Sequence, residues 1–330
     1  AAGVVITASH NPKEYNGYKV YGEDGGQLSL DGSDAVQREI NKIEDITKVN
    51  IMDKEEAVNR GLIKVIGKEI DDEYISRLKT LSINPDVIKN VADSFKIVYT
   101  PLHGTGNKPV RRILAEIGFK HILVVKEQEL PDSEFSTVKS PNPEERTAFA
   151  HAMELAAKEN VDLIIGTDPD CDRVGVVVRN AAGNYVVLTG NQTGSLLMEY
   201  ILSQKKARGE LPANGFVVKT IVTTEMARAI AKSYNVELVE VLTGFKFIGE
   251  KIKEMDEFGD KKYLFGFEES YGYLAGTFAR DKDGVVASML IAEMAAYYRS
   301  RGMSLYEGLE ELFKKYGYYM EGISSFNLEG

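Results

Sequence analysis

Tryptophan is absent from this chain of 330 residues, and cysteine and histidine are nearly so, with one and four copies. A single cysteine, Cys171, excludes an intrachain disulfide and agrees with a reducing, cytoplasmic setting. The four histidines, at 10, 103, 121 and 151, are too few and too scattered for a dinuclear zinc hydrolase. No apolar run approaches the ~18–20 residues that cross a bilayer. The opening AAGVVITASHNP has neither the charged nor the long apolar region of a signal peptide, so the Asn191-Gln192-Thr193 sequon is not expected to carry a glycan. Basic residues never run longer than a pair, and 40 Lys and Arg face 50 Asp and Glu, a net charge of −10. That balance excludes the basic face a nucleic-acid binder needs. It leaves room for a small anionic ligand wherever local Lys and Arg reverse the field. The expectation is a cytoplasmic protein with no nucleic-acid partner and no membrane partner.

What the chain does have is ordinary core material, 43% hydrophobic and 27% charged residues, in a length that suits two or three domains at ~100–200 residues each. It opens directly on an apolar, strand-like segment, Gly3–Thr7, with no Met before it, which predicts a piece cut from a longer chain. Residues 3–8 and Tyr18–Tyr21 read as strands, and Asp34–Ile43 and Glu69–Leu81 as helices, with Asn84-Pro85 interrupting the pattern. From Phe95 onward strands and helices alternate. Strands are expected at 96–100, 121–126, 161–166 and 174–179, with helices at 109–117 and 144–159, which argues for a largely parallel sheet. A third stretch from Leu188 repeats the rhythm, with strands at 216–222, 236–242 and 263–267 and helices at 190–202, 224–234, 246–256, 284–300 and 305–315. Residues 317–330 read as the opening of a further element.

Four loops after predicted strands could carry chemistry, and ligands of open α/β sheets bind beyond the carboxyl ends of strands. Thr7-Ala8-Ser9-His10-Asn11-Pro12 places a serine in a polar turn, with Lys19 on the returning strand. Ser9 there suits either a nucleophile or a turn residue bonding its own backbone; the G-x-S-x-G elbow is absent. Gly166-Thr167-Asp168-Pro169-Asp170-Cys171-Asp172-Arg173 sets three carboxylates at alternate positions between two apolar strands. Self-repulsion makes a divalent cation the simple remedy, and an all-oxygen set suits Mg²⁺ or Ca²⁺; an exposed acidic turn is the alternative reading. An EF-hand is excluded, since its sixth and twelfth positions hold Arg173 and Arg179 rather than Gly and Glu. Thr243-Gly244-Phe245-Lys246 and Gly266-Phe267-Glu268-Glu269-Ser270-Tyr271-Gly272-Tyr273 are polar loops able to grip hydroxyls, and each alone reads equally well as a solvated turn.

The motifs T-A-S-H-N-P, G-T-D-P-D-C-D-R and G-F-E-E-S-Y-G-Y, in that order, resemble the α-D-phosphohexomutase superfamily, and in particular the phosphoglucomutase/phosphomannomutase family. The resemblance covers essentially the whole chain. It implies consecutive mixed-sheet α/β domains around a central cleft: 1–90 a partial first domain with the phosphoserine loop, 91–187 a second with the metal loop, 188–312 a third with the sugar loop, and 313–330 the start of a fourth. It implies interconversion of hexose 1-phosphate and hexose 6-phosphate, glucose foremost, through a phosphoserine and a sugar bisphosphate. Mannose and pentose phosphates, and a non-catalytic metal- or sugar-phosphate-binding fragment, are the alternatives. By the same resemblance Ser9 is the phosphoryl carrier, His10 and Lys19 serve proton transfer or phosphate orientation, and Asp168, Asp170, Asp172 and Ser9 hold one Mg²⁺. Arg173, Thr243, Gly244, Lys246, Glu268 and Ser270 bind phosphate or sugar. A lysine close to Mg²⁺ and Arg173 is expected to have its pKa lowered by like charge. Cys171 departs from the pattern, standing where relatives have Ala or Gly. The family's early arginine and its S-G-T-E-P-like phosphate loop fall outside these 330 residues.

Overall fold

A computed structural model describes residues 2–322. Two antiparallel strands open it, β1 (Gly3–Thr7) and β2 (Gly17–Tyr21), paired in register from Gly3 with Tyr21 to Thr7 with Gly17. Helix α1 (Leu30–Ile40) follows, capped by Ser29, whose hydroxyl accepts the Gly32 N–H. Its start lies four residues before the expected Asp34, because Ser29 supplies the cap. Helix α2 (Lys54–Asn59) was not anticipated. Helices α3 (Lys68–Lys79) and α4 (Pro85–Val91) come next. Asn84-Pro85 thus begins a helix, since proline at the first position gives up a donor that would be unpaired anyway.

The second region is a five-stranded sheet in the order β4-β3-β5-β6-β7. It is built from β3 (Lys96–Thr100), helix α5 (Asn107–Glu116), β4 (His121–Val124), helix α6 (Ala150–Glu159), β5 (Leu163–Thr167), β6 (Val174–Arg179) and β7 (Tyr185–Leu188). The expected largely parallel sheet is half right. β4, β3 and β5 are parallel, whereas β5, β6 and β7 are antiparallel, because only the short 168–173 loop joins β5 to β6 and no crossover helix intervenes. The helix expected from Glu144 opens as a 3₁₀ turn at Arg146–Phe149. Phe149 is wholly buried there against Gly166 and Gly175, where added methyl groups would lie 2.5 and 2.8 Å from its ring.

The third region carries helix α7 (Gly190–Ala207), β8 (Gly215–Thr220), helix α8 (Met226–Tyr234), β9 (Glu237–Val241), helix α9 (Phe245–Phe258), β10 (Lys262–Phe267), β11 (Tyr273–Leu274), helix α10 (Gly284–Ser300) and helix α11 (Leu305–Tyr316). Its sheet runs β11-β10-β8-β9, with β8 parallel to both β9 and β10. Asn191 of the sequon sits in the first turn of α7, buried, with its side chain accepting the Thr224 N–H. Helix α10 is mostly apolar, buried along nearly its whole length, and packs on α4, α5, α7 and α11 and on strands of both large sheets. It is therefore the shared core element that fixes the two sheets relative to each other. The division expected at 312/313 falls inside α11, whose Leu309 and Leu312 are buried, and the helix continues unbroken to Tyr316. Residues 323–330 of the anticipated fourth unit lie outside the described residues. Among those described, no helix is long and apolar enough to cross a membrane.

Candidate active site

Ser9 occupies the connection between β1 and β2 with φ at 53°, a left-handed conformation held in place by its surroundings. Its N–H donates to the Thr7 hydroxyl at 2.7 Å, and the Asn11 N–H closes the turn on the Ala8 carbonyl at 3.0 Å. The Ser9 hydroxyl then points across to the loop between β5 and β6 and donates to Asp168 Oδ2 at 2.9 Å, with His10 Nδ1 3.2 Å away.

That loop holds its carboxylates by backbone. Asp168 is wholly buried, and its Oδ1 accepts the N–H groups of Asp172 and Arg173 at 3.1 and 2.9 Å. Cys171 takes φ of 59° to turn the chain, pointing its sulfur into the core beside Gly106 and Gly284, so the departure from Ala or Gly is accommodated away from the carboxylates. Oxygens of Asp168, Asp170 and Asp172 all lie within 4.8 Å of one another. Asp170 Oδ1 and Asp172 Oδ1 are buried with no hydrogen-bond partner. Unpaired buried carboxylate oxygens are costly, and two of them beside a third carboxylate and a hydroxyl form a donor set suited to a hard divalent cation. The group fits these residues.

Charge divides the trio. Burial, then Asp172 and Asp170, push the Asp168 carboxyl well above the usual carboxylate range. Burial also pushes Asp172 upward, but Lys282 and Lys19 outweigh it and hold that carboxyl low. Lys19 Nζ lies 2.9 Å from Asp172 and 3.3 Å from Asp170, and Lys282 Nζ lies 3.0 Å from Asp172. The lowering expected of Lys19 concerns a site that holds Mg²⁺, and the protein groups alone act the other way. Burial does act downward, but Asp172 and Asp170 outweigh it and raise the ammonium. Burial, followed by the Arg173 guanidinium, lowers the His10 pKa to about 4, which leaves a neutral imidazole facing Ser9.

The remaining nominated residues separate into two groups. Arg173 is largely buried and donates to Glu144 Oε1 at 2.6 Å, and its backbone bridges to Gly272, which ties the metal loop to the 268–272 loop. Glu268 is buried, its carboxyl raised by burial, and its Oε1 accepts the Gly244 N–H at 2.9 Å. Gly244 takes φ of 118°, which only glycine adopts readily. The 243–244 and 268–270 loops therefore meet, with Thr243 exposed and Ser270 half-buried. Lys246 is not drawn to Ser9. It lines a separate cavity of about 390 Å³ between the 22–29 turn and α9, its ammonium 5.1 Å from the Phe247 ring centre.

Sequence reasoning missed Lys282, Asp281, Tyr21 and Glu144. Lys19, Tyr21, Asp170, Asp172, Asp281 and Lys282 line a cavity of about 420 Å³ behind the hairpin. The signal was present in Arg280-Asp281-Lys282-Asp283, a charged run set directly before the apolar α10. Asp283 caps that helix through the Val285 and Val286 N–H groups, both at 2.9 Å.

Sequence models of the phosphoglucomutase/phosphomannomutase α/β/α domains I, II and III match residues 1–47, 72–183 and 189–316 in that order. The chain belongs to the phosphoglucomutase/phosphomannomutase family. It is similar to the phosphoglucomutases of Staphylococcus aureus strains USA300 and MRSA252, 39% identical over 331 residues. All of this chain but only 57% of each relative is covered, so it spans little more than half their length. Among solved structures it is similar to a putative phosphomannomutase from Thermus thermophilus (22% identity, TM-score 0.74, 96% of this chain and 64% of that one). It is also similar to the Aspergillus fumigatus N-acetylphosphoglucosamine mutase solved with GlcNAc-6P and magnesium (16% identity, TM-score 0.57, 96% and 73%). At those identities the two structures establish the fold alone.

Proposed function

We propose that this chain is part of a phosphoglucomutase that moves a phosphoryl group between Ser9 and the 1- and 6-hydroxyls of a hexose phosphate, glucose foremost. A cytoplasmic location and sugar phosphates as the only partners go with that proposal. The observation that carries it is the Ser9 hydroxyl 2.9 Å from Asp168, set over a carboxylate trio with two unpaired oxygens. The 39% identity to named phosphoglucomutases supports the choice of reaction and of glucose.

In this reading Asp168, Asp170, Asp172 and an oxygen on Ser9 hold one Mg²⁺, which, when bound, draws negative charge from the phosphate. Positioning and charge stabilisation dominate phosphoryl transfer, and both are built from the chain's own groups. The phosphorus–oxygen bond to Ser9 breaks as one to a sugar hydroxyl oxygen forms, and the hydroxyl proton ends on the Ser9 oxygen that the phosphoryl group leaves. Transfer of the sugar's other phosphate back to Ser9 restores the enzyme. His10, neutral and 3.2 Å from Ser9 Oγ, is placed to exchange the Ser9 proton. Lys19 and Lys282, whose ammonium groups lie 2.9 and 3.0 Å from Asp172, are proposed to orient the phosphate, with Lys19 a candidate for proton transfer as well. Arg173 adds a further positive charge, and Glu268 and Ser270, on the loop joined to Arg173 at Gly272, are placed to read sugar hydroxyls. Thr243 and Gly244 belong to the same wall. Lys246, two residues beyond Gly244, lines the neighbouring cavity, and its contact with phosphate remains a proposal.

The test uses the full-length enzyme on glucose 1-, mannose 1- and ribose 1-phosphate in coupled assays. Glucose 1-phosphate is expected to turn over fastest, and Ser9→Ala to abolish turnover while Mg²⁺ binding persists. An active Ser9→Ala enzyme overturns the proposal.

A further inference from the structure

The β1–β2 hairpin carries Ser9 and Lys19, and two sets of polar contacts join it to the other described residues. Its polar contacts with the metal loop are Ser9 to Asp168, Thr7 to Asp170 at 3.2 Å, and Lys19 to Asp170 and Asp172. All three aspartates in that set are the ones proposed to hold a cation, so these contacts compete with the cation for the same carboxylates. An exposed ion pair of Lys13 with Glu134 adds little.

A second set lies at the far end of the hairpin and touches no proposed metal ligand. Tyr21 donates its hydroxyl to Asp281 Oδ2 at 2.9 Å. In the turn after β2, Asp24 uses its two oxygens differently. Oδ1 accepts the Gly26 N–H at 3.2 Å and holds the turn together. Oδ2 lies 2.7 Å from Lys253 Nζ on α9 and 3.6 Å from Arg280 Nη1. Arg280 is itself seated closely on α9, where a methyl group on Gly249 would stand 2.4 Å from its carbonyl oxygen. Asp281 and Arg280 immediately precede Lys282, whose ammonium reaches Asp172. The hairpin bearing Ser9 and the segment bearing Lys282 are thus fastened to each other independently of the carboxylate trio.

We infer that Tyr21 and Asp24 are positioning residues, a clasp that keeps Ser9 in register over the metal loop when the aspartates are engaged with a cation. Its effect on turnover rests on the phosphoserine reading above; its existence does not. A phosphoryl group carried on a loosely held hairpin is misaligned for the sugar oxygens and open to water. Misplacement of about 1 Å costs up to ~10²-fold in rate.

The experiment compares full-length wild type, Tyr21→Phe, Asp24→Asn and the double variant in saturating Mg²⁺. Tyr21→Phe keeps the ring and removes only the donor. Hydrogen exchange of the β1 and β2 amides is expected to quicken roughly 2- to 12-fold in Tyr21→Phe, the fold-change of one net hydrogen bond, with α10 amides unchanged. Turnover is expected to fall about tenfold in the double variant. KM and Mg²⁺ affinity are expected to stay at wild-type values, and loss of phosphate from Ser9 to water to rise. Wild-type exchange rates in the double variant overturn the clasp. So does a lowered melting temperature with unchanged turnover and phosphate loss, and so does a rise in KM alone. If the wild-type enzyme carries no phosphate on Ser9, the phosphoserine reading fails, and the exchange measurement still decides whether the clasp exists.

Discussion

Gly284 is the first residue of α10, where alanine is ordinarily the better helix former by up to ~1 kcal/mol. Here a methyl group would stand 2.5 Å from the Cys171 carbonyl oxygen, 3.0 Å from its carbon and 3.2 Å from its sulfur. Relief to a carbon–oxygen separation of even ~3.3 Å needs a displacement of roughly 0.8 Å. The helix cannot supply it cheaply, being buried along nearly its whole length, so the metal loop must move. The Gly284 N–H also donates to that carbonyl at 3.0 Å, a bond the same shift weakens. Asp170 and Asp172 flank Cys171, so the displacement reaches the proposed cation ligands directly. Gly284→Ala in the full-length enzyme is therefore expected to cost about 1–3 kcal/mol of stability and roughly 10- to 100-fold in turnover, with weakened Mg²⁺ binding. Gly67→Ala is the control, because nothing lies within 4 Å of its added methyl, and it should leave Mg²⁺ affinity and turnover unchanged. Isothermal titration with Mg²⁺ and a coupled assay read both. If Gly284→Ala is more stable than wild type and binds Mg²⁺ equally well, helix propensity has won and the packing argument is wrong.

Asp172→Asn should weaken Mg²⁺ binding by more than about tenfold and free Lys19 and Lys282 from their shared partner, checked by titration calorimetry. Burial holds the Glu268 carboxyl above its usual range, so the folded state keeps its proton to higher pH than the unfolded chain and ionisation of Glu268 opposes folding. Glu268→Gln should raise the melting temperature at pH 7 while lowering turnover, and the thermal gain should shrink as pH falls through the raised pKa. Glu293 is buried within α10 and accepts from Ile83 and Asn84 N–H groups at 2.9 and 2.8 Å, from Tyr200 at 2.8 Å and from Ser82. Glu293→Ala orphans at least the two buried donors, Ile83 N–H and Tyr200 OH, and should cost about 2–6 kcal/mol, read as a lowered urea midpoint.

Much of this architecture was legible because the strands buried on both faces, such as Ile97–Tyr99 and Leu163–Ile165, read as uninterrupted apolar runs. The mixed character of the five-stranded sheet was not legible from the strand–helix rhythm, although a loop as short as 168–173 forces an antiparallel return. The site was legible where chemistry is local. Asp168, Asp170 and Asp172 repel one another within five residues of sequence, and Ser9 sits in a polar turn. It was not legible where chemistry is made by packing. Lys282 is 263 positions from Lys19 and meets the same carboxylate only because α10 is threaded between the two large sheets. Glu144 read as helix because its neighbours favour one, whereas its carboxylate is drawn to Arg173. Lys246 stands in a loop after a strand, as the other candidates do, but the first turn of α9 aims it at the neighbouring cavity.

The central claim is that Ser9 carries the phosphoryl group over a cation held by three aspartates. Its most direct test is peptide mass spectrometry of the full-length enzyme after incubation with Mg²⁺ and glucose 1,6-bisphosphate. The account predicts one phosphate on the peptide containing Ser9, localised to that residue, present with Mg²⁺ and removed by excess glucose 1-phosphate. A Ser9 that remains unmodified while the enzyme interconverts glucose phosphates at full rate would contradict it.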